Sequence, residues 1–271
     1  MQGSDGLLYG TTQYGGTNGL GTVFKISTNG ALTTLYSFGV ETNEDGFALD
    51  GASPEAGLVQ GSDGSFYGTT SAGGNEDTGT VFKISGNGSL TSLYSFDNYV
   101  DDGRIPSSGL VQGSDGNFYG TTAQGGTSSW SFQNMHFDGY GTVFKISTNG
   151  VLTSLYSFNY GSDVGFYPLA GLVVGHDGSL YGTTSGGGQG GAGTVFRLTI
   201  VPEFQALTVA NGTLNLTWST EAGGTYQLQY NSDLTSTNWI NLGNPIPATA
   251  STLTATDALT NGPQRFYRLM H

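Results

Sequence analysis

The chain has 271 residues, no cysteine, and 20 acidic against 7 basic side chains, which gives a formal net charge of −13 at pH 7. The lack of cysteine excludes disulfides, thiol nucleophiles and thiolate metal sites, and the acidic balance argues against nucleic acid and anionic membranes as partners. No apolar run reaches the length of a membrane span, and the first residues lack the basic and apolar segments of a signal peptide.

One sequence unit occurs four times in succession over about the first 200 residues. Its blocks begin as follows: YGTT at Tyr9, Tyr67, Tyr119 and Tyr181; GTVF at Gly21, Gly79, Gly141 and Gly193; LYSF at Leu35, Leu93 and Leu155; and Gly-x-x-Pro-x-x-Gly-Leu-Val at Gly51, Gly103 and Gly165. Residues 1–6 align with residues 59–64, so the chain opens inside a unit, and the fourth unit has no LYSF block. We therefore expect a truncated or mature form of a longer polypeptide.

Each unit contains four short runs that are typical of β-strands. In the second unit they are residues 57–60, 65–70, 79–85 and 90–96, all rich in β-branched and aromatic residues. Asp-Gly separates the first pair and Asn-Gly the last pair, and both dipeptides tolerate the positive φ angles of a tight hairpin. The unit is therefore predicted to be a four-stranded antiparallel meander.

Tandem meanders of this kind are typical of the blades of a β-propeller. We predict an all-β fold in which residues 1–201 form a small propeller of four four-stranded repeats. Four blades is the low limit for such a ring, so three arrangements stay open: a closed four-bladed ring, an open fragment, and a larger ring closed by a homodimer.

The pattern changes after the fourth repeat. Residues 202–271 contain alternating strand-like runs, at residues 214–218, 226–230 and 265–269. With the intervening turns they predict a small antiparallel β-sandwich, with Trp218, Tyr226 and Tyr230 as core residues.

The segment DGASPEAGLVQGSDGSFYGTT, at residues 50–70, together with GTVFKIS and LTSLYSF, resembles the GloVer tandem repeat of surface-destined bacterial proteins. The resemblance covers roughly residues 1–200. It implies an extracellular or cell-surface location and no established activity. Residues 205–271 look like the fibronectin-III-like sandwiches that end many secreted bacterial enzymes and surface proteins, and likeness of fold does not establish function.

Charged residues that recur in every repeat have a structural and a functional interpretation. They are Asp5, Asp63, Asp115 and Asp177 in the hairpin turns, and Lys25, Lys83, Lys145 and Arg197 in the third strand. A ring of carboxylates would bind Ca²⁺ or sugar hydroxyls, and a ring of cations would face an anionic ligand. We favour the structural interpretation, because Asp-Gly fits a tight turn and function rarely needs the same residue in every blade.

Residues at which the repeats differ are better functional candidates, because the fold does not require them. The catalytic candidates are acidic residues of the inter-blade loops and of the insertion in the third repeat, namely Asp45, Asp50, Asp101, Asp102 and Asp138. Glycoside hydrolysis uses two carboxylates in one cleft, one as the acid and the other as nucleophile or base. The alternative is that these loops are solvated and acidic.

The ligand-binding candidates lie in the same variable segments. They are Arg104, Trp130, His136, Tyr140, Tyr167 and His176, with Tyr160 nearby in the third inter-blade loop. Aromatic rings stack on sugar faces, and the alternative is a loop that buries its own aromatic residues. Two histidines do not define a metal site, so we predict no metal and no cofactor, with Ca²⁺ as the alternative.

Together these features predict an extracellular repeat protein that binds a polysaccharide, a cell-surface glycan or another surface ligand through its inter-blade loops. The alternatives are a glycoside hydrolase with paired carboxylates and a structural adhesin module. The sequence alone does not decide whether the protein is an enzyme.

Overall fold

The computed structural model of the protein describes residues 1–97, 102–127, 130–132, 135–137, 139–176, 178–200, 204–220, 224–250, 252–258 and 264–270. These residues form β-strands and turns without a helix, and the strands form small sheets. The prediction of an all-β fold is confirmed. Within the described ranges, no helix is long and apolar enough to cross a membrane.

The strands of the repeats follow the predicted runs closely. In chain order they are β1 (Leu8–Thr12), β2 (Thr22–Ile26) and β3 (Leu32–Ser37) in the first repeat; β4 (Val59–Gln60), β5 (Phe66–Thr70), β6 (Thr80–Ile84) and β7 (Leu90–Ser95) in the second; β8 (Val111–Gln112), β9 (Phe118–Thr122), the inserted β10 (Trp130–Phe132) and β11 (Met135–Phe137), β12 (Thr142–Ile146) and β13 (Leu152–Ser157) in the third; and β14 (Val173–Val174), β15 (Leu180–Thr184) and β16 (Thr194–Leu198) in the fourth.

The second and third repeats are complete antiparallel meanders. Their strand orders are β4-β5-β6-β7 and β8-β9-β12-β13, with a register shift after the valine of each GTVF block. In the first repeat an antiparallel bridge between Gln2 and Leu8 takes the place of the short first strand. The described strands of the fourth repeat are β14, β15 and β16, without a counterpart of β7. The meander prediction is confirmed, and no described sheet closes into a barrel.

The hydrophobic core lies between successive repeats. We call each such contact between two repeats a joint. The face of a sheet that packs on the following repeat is its forward face, and the face that packs on the preceding repeat is its backward face. In the first joint, Tyr9 and Val23 on the forward face pack with Leu58, Phe66 and Phe82 on the backward face, and all five side chains are buried. The second joint repeats this arrangement with the equivalent residues, so each sheet buries both faces only when it has a neighbour on each side.

Each joint has a second contact, between a glycine of one repeat and a proline of the next repeat. The glycine of every GTVF block adopts a positive φ of 94° to 104°. A Cβ on Gly79 would lie 2.6 Å from Cδ of Pro106 in the next repeat, and Gly21 and Gly141 stand in the same relation to Pro54 and Pro168. Only glycine fits this backbone conformation and this close approach. The Gly-x-x-Pro block is therefore a linker that docks on the preceding repeat.

The C-terminal strands form two further sheets. They are β17 (Phe204–Ala210), β18 (Thr213–Ser219), β19 (Thr225–Asn231), β20 (Ile240–Asn241), β21 (Ile246–Pro247), β22 (Thr252–Ala258) and β23 (Phe266–Met270). One sheet has the order β17-β18-β22, and β19 pairs with β20, β21 and β23 in the other. Trp218 and Tyr226 are fully buried, as predicted, whereas Tyr230 is half-buried beneath the guanidinium of Arg265.

Two compact units can be separated in the chain. The first contains residues 1–112, 116–173 and 181–197, and the second contains residues 113–115, 174–180 and 198–271. The domain assignment, with residues 1–201 as a propeller and 202–271 as a sandwich, stays a prediction.

Candidate functional site

Asp50 closes the loop that leaves the first repeat. Its buried carboxylate accepts hydrogen bonds from the Tyr36 hydroxyl at 2.7 Å and from the backbone N–H groups of Gly39 and Val40 at 3.0 and 3.1 Å. Burial and then the bond to Asp50 raise the pKa of Tyr36. In the next repeat the Tyr94 hydroxyl donates to buried Asp102 in the same way. Both aspartates act as caps of the loop between repeats.

The other acidic candidates have different surroundings. Asp45 is exposed, and its backbone N–H donates to the side-chain oxygen of Asn43 at 3.1 Å. Asp101 and Asp138 lie outside the described residues. The third repeat carries Val164 where the first two carry Asp50 and Asp102, so two of the three loops between repeats have an aspartate cap. The tyrosine partners were not among the predicted site residues, although a tyrosine of the LYSF block precedes each aspartate.

Asp50 also lines the candidate cleft for acid–base chemistry. A cleft of about 260 Å³ lies beside the first joint and is lined by Tyr36, Val40, Glu41, Leu49, Asp50, Leu90 and Ser92. A second cleft of about 420 Å³, which shares Tyr36 and Val40, extends to Asn18. Glu41 and Asp50 are therefore two carboxylates that line one cleft, and only Asp50 was among the predicted catalytic residues.

Replacing Asp50 tests its role as a cap. We expect Asp50→Asn to lower the free energy of unfolding by about 1–2 kcal/mol, because the charge-assisted bonds to the Tyr36 hydroxyl and two backbone N–H groups are weakened. Urea unfolding followed by near-ultraviolet circular dichroism measures the change. Asp45→Asn is the matched control, since an exposed aspartate contributes within about 0.5 kcal/mol. Equal stability of the two variants would contradict the cap.

Asp5 and Asp63, two of the recurring aspartates, stabilise the hairpin turns in which they lie. Asp63 accepts bonds from the Ser65 N–H and the Tyr67 hydroxyl, and it forms an ion pair with Lys83 at 2.7 Å. Burial works against ionisation of Asp63, but these bonds outweigh it and hold its pKa below the usual value. Asp5 bonds to the Tyr9 hydroxyl at 2.8 Å in the same manner. The structural interpretation of the Asp-Gly turns is confirmed for these two repeats.

Four aromatic rings form a cluster at the third joint, which lies between the third and fourth repeats. The ring centroids of Tyr140, Tyr160, Phe166 and Tyr167 lie 5.3 to 5.7 Å from their neighbours in the cluster. Tyr160 is 73% exposed and Tyr167 is 36% exposed, so the cluster presents two rings to solvent. We call this group the aromatic platform. It contains Tyr140 and Tyr167, two of the predicted ligand-binding residues.

The aromatic platform occurs at one joint of the three. The residues that align with Tyr140, Tyr160, Phe166 and Tyr167 at the first joint are Leu20, Val40, Ala52 and Ser53. The backbone is nevertheless the same, because Ser53 and Tyr167 both have φ of 56° and donate their N–H to the carbonyls of Leu20 and Tyr140. Small and aliphatic residues therefore suffice for the joint, and the four rings are an addition to it.

The repeats also match a known family. Residues 1–132 match the family model of the Gloeobacter/Verrucomicrobia repeat. The match covers the first two repeats and the start of the third, and it is consistent with the GloVer resemblance. No curated protein matches the chain.

The remaining predicted ligand-binding residues are spread over the second, third and fourth repeats. Arg104 occupies the position of Phe166 at the second joint, and burial lowers the pKa of its guanidinium. Trp130 and His136 lie on the β10–β11 hairpin, where Ser131 pairs with His136. His176 is exposed in the turn between β14 and β15. Their roles in binding stay predictions.

Phe166 is the platform residue that was not among the predicted ligand-binding residues. Aligning the three Gly-x-x-Pro blocks gives Ala52, Arg104 and Phe166 at one position, and this comparison would have found it. Among the described residues, no group of three or more histidine, aspartate or glutamate side chains is arranged to hold a metal ion. The expectation of no cofactor stays a prediction.

Proposed function

We propose that the protein binds a carbohydrate at the aromatic platform of the third joint. The observation that carries the proposal is the exposure of Tyr160 and Tyr167 within a cluster of four rings that the other joints do not have. Large exposed aromatic side chains that the fold does not need are typical of binding surfaces. Sugars offer apolar C–H faces that stack on such rings and hydroxyls that bond to tyrosine.

The packing of the platform favours binding by a rigid surface. Tyr140 contacts the rings of Tyr160, Phe166 and Tyr167, so the exposed tyrosines are held by neighbours before a ligand arrives. Rings ordered in advance lose little side-chain freedom on binding, which improves affinity. The net charge of −13 disfavours an anionic sugar polymer. A neutral polysaccharide or glycan is therefore the proposed ligand class.

Retention on polysaccharides tests the proposal. We expect the protein to be retarded in native gels that contain a neutral polysaccharide from a panel of glucans, mannans, galactans and xylans, and Tyr160→Ala to weaken binding by about 10-fold. Val40→Ala, at the equivalent exposed position of the first joint, is the matched control and should bind normally. Equal retention of both variants, or no retention on any polymer, would overturn the proposal.

A glycoside hydrolase is the second candidate, and the cleft with Glu41 and Asp50 favours it. A retaining enzyme needs two carboxyl groups about 5 Å apart, and an inverting enzyme needs them about 6.5–9.5 Å apart. Asp50 already accepts bonds from the Tyr36 hydroxyl and two N–H groups, which is the environment of a structural cap. If the protein releases reducing sugar and Glu41→Gln abolishes this release, the result would favour the enzyme. If no polysaccharide of the panel is either bound or hydrolysed, the result would favour a structural adhesin.

The finer architecture belongs to the same proposal. We take the four repeats as propeller blades, residues 202–271 as a fibronectin-III-like sandwich, and the cell surface or exterior as the location. The repeated meanders, the joints between their sheets and the two C-terminal sheets support the architecture. The proposed location rests on the GloVer resemblance of the repeats.

A further inference from the structure

Two valines on the forward face of the fourth repeat are exposed. Val195 on β16 is 77% exposed, whereas Val23, Val81 and Val143, which occupy the same position in the other repeats, are at most 1% exposed. Val173 on β14 is likewise 64% exposed, and its counterpart Val59 is half-buried. In the earlier repeats this face is covered by the next sheet. The fourth repeat therefore ends in half of a joint.

The backward face of the first repeat is the complementary half. Leu8 is 43% exposed, although its counterparts Phe66 and Phe118 are at most 2% exposed beneath the stacked rings of Tyr9 and Tyr67. Phe24 is half-buried where Phe82 is fully buried. Each copy of the chain thus presents exposed apolar residues on a forward face and on a backward face of the same kind of joint.

We propose that two copies of this chain associate head to tail, with the forward face of the fourth repeat in one copy docked on the backward face of the first repeat in the other. The proposed partner is a second copy of this chain. At the internal joints, the face that carries the equivalent of Val195 packs against the next repeat, and the first repeat of a second copy offers the same kind of surface. Such a contact joins two different surfaces, so two of them close a ring of copies and a series of them forms a chain.

The composition of the new joint makes the association reversible. Phe38 follows β3 and contributes to the first joint, and Phe96 does the same after β7 at the second. The fourth repeat has no LYSF block to supply this phenylalanine. The contact between copies therefore buries less apolar surface than an internal joint, and association is expected to depend on protein concentration.

Analytical ultracentrifugation of the full chain tests the proposal. Between about 1 µM and 1 mM the average mass should rise from that of one chain to that of two or more. Val195→Glu and Leu8→Glu should each weaken association by about 100-fold, because a buried contact does not accept an unpaired carboxylate. Val209→Glu, at another strongly exposed valine, is the control and should associate normally.

Mixing the two defective variants distinguishes a head-to-tail contact from other modes. Val195→Glu keeps an intact backward face and Leu8→Glu keeps an intact forward face, so an equimolar mixture should form dimers that neither variant forms alone. A concentration-independent monomer with native circular dichroism would overturn the proposal. So would a mixture that stays monomeric, or a Val195→Glu variant that is thermally destabilised at dilutions where the wild-type chain is monomeric, since the face would then be covered within one chain.

Discussion

We expect Gly79→Ala to lower the free energy of unfolding of the repeat region by about 3–5 kcal/mol. Gly79 has φ of 102°, and a Cβ there would collide with the carbonyl oxygen of Thr70 and lie 2.6 Å from Cδ of Pro106. Both obstacles are rigid, since one is backbone and the other is a ring. The substitution therefore pushes the linker of the third repeat away from the second repeat.

Gly64→Ala is the matched control for this prediction. Gly64 has φ of 80°, but no atom lies within 4 Å of its Cβ position. It therefore carries the cost of the unfavourable backbone conformation alone, about 1–2 kcal/mol. Urea unfolding of both variants, followed by near-ultraviolet circular dichroism, separates conformational strain from collision at the joint. Equal losses in the two variants would show that Pro106 does not hold the joint.

Local sequence signals were sufficient to predict the strands and turns of the repeats. Runs such as TVFKI and LTSLYS combine β-branched and aromatic residues, and Asp63-Gly64 forms the predicted turn. These signals act over a few residues, so they can be read from one copy and checked against the other copies. The same reasoning predicted that the recurring aspartates serve turns.

The joints depend on contacts between residues far apart in the chain, and no local pattern specifies them. The stacking of Tyr9 on Phe66 and the approach of Gly79 to Pro106 require the mutual placement of two repeats. The two-carboxylate hypothesis was incomplete for a related reason. The sequence places Asp50 in a loop, but only the fold brings the Tyr36 hydroxyl to it and Glu41 to the same cleft.

The aromatic platform was predicted in part from the sequence and depends in part on contacts between repeats. Tyr140 and Tyr167 were selected because the repeats differ there, and they belong to one cluster because the linker docks on the preceding repeat. Differences between repeats thus identified the residues, and the joint supplied their proximity. Comparison of the repeats also distinguishes positions that keep the same residue from positions that vary. Gly79 and Pro106 recur at every complete joint, whereas the platform residues change from one joint to the next.

The second large effect is expected for Val81→Ala. Val81 is fully buried in the second joint, so removal of two methyl groups should lower the free energy of unfolding by about 2–3 kcal/mol through lost burial and the cavity that remains. Val195→Ala changes the same residue type at the same repeat position, but on the uncovered forward face. At concentrations where the chain is monomeric it should alter stability by less than about 0.5 kcal/mol.

Thermal unfolding of the two valine variants at low and high protein concentration links the joints to self-association. Val81→Ala should lower the melting temperature equally at both concentrations, because its joint lies within one chain. Val195→Ala should be silent when dilute and should reduce the stabilisation that the wild-type chain gains when concentrated, since ligands that bind the folded state stabilise it by mass action. If Val195→Ala were as destabilising as Val81→Ala in dilute solution, the forward face of the fourth repeat would be buried within the monomer.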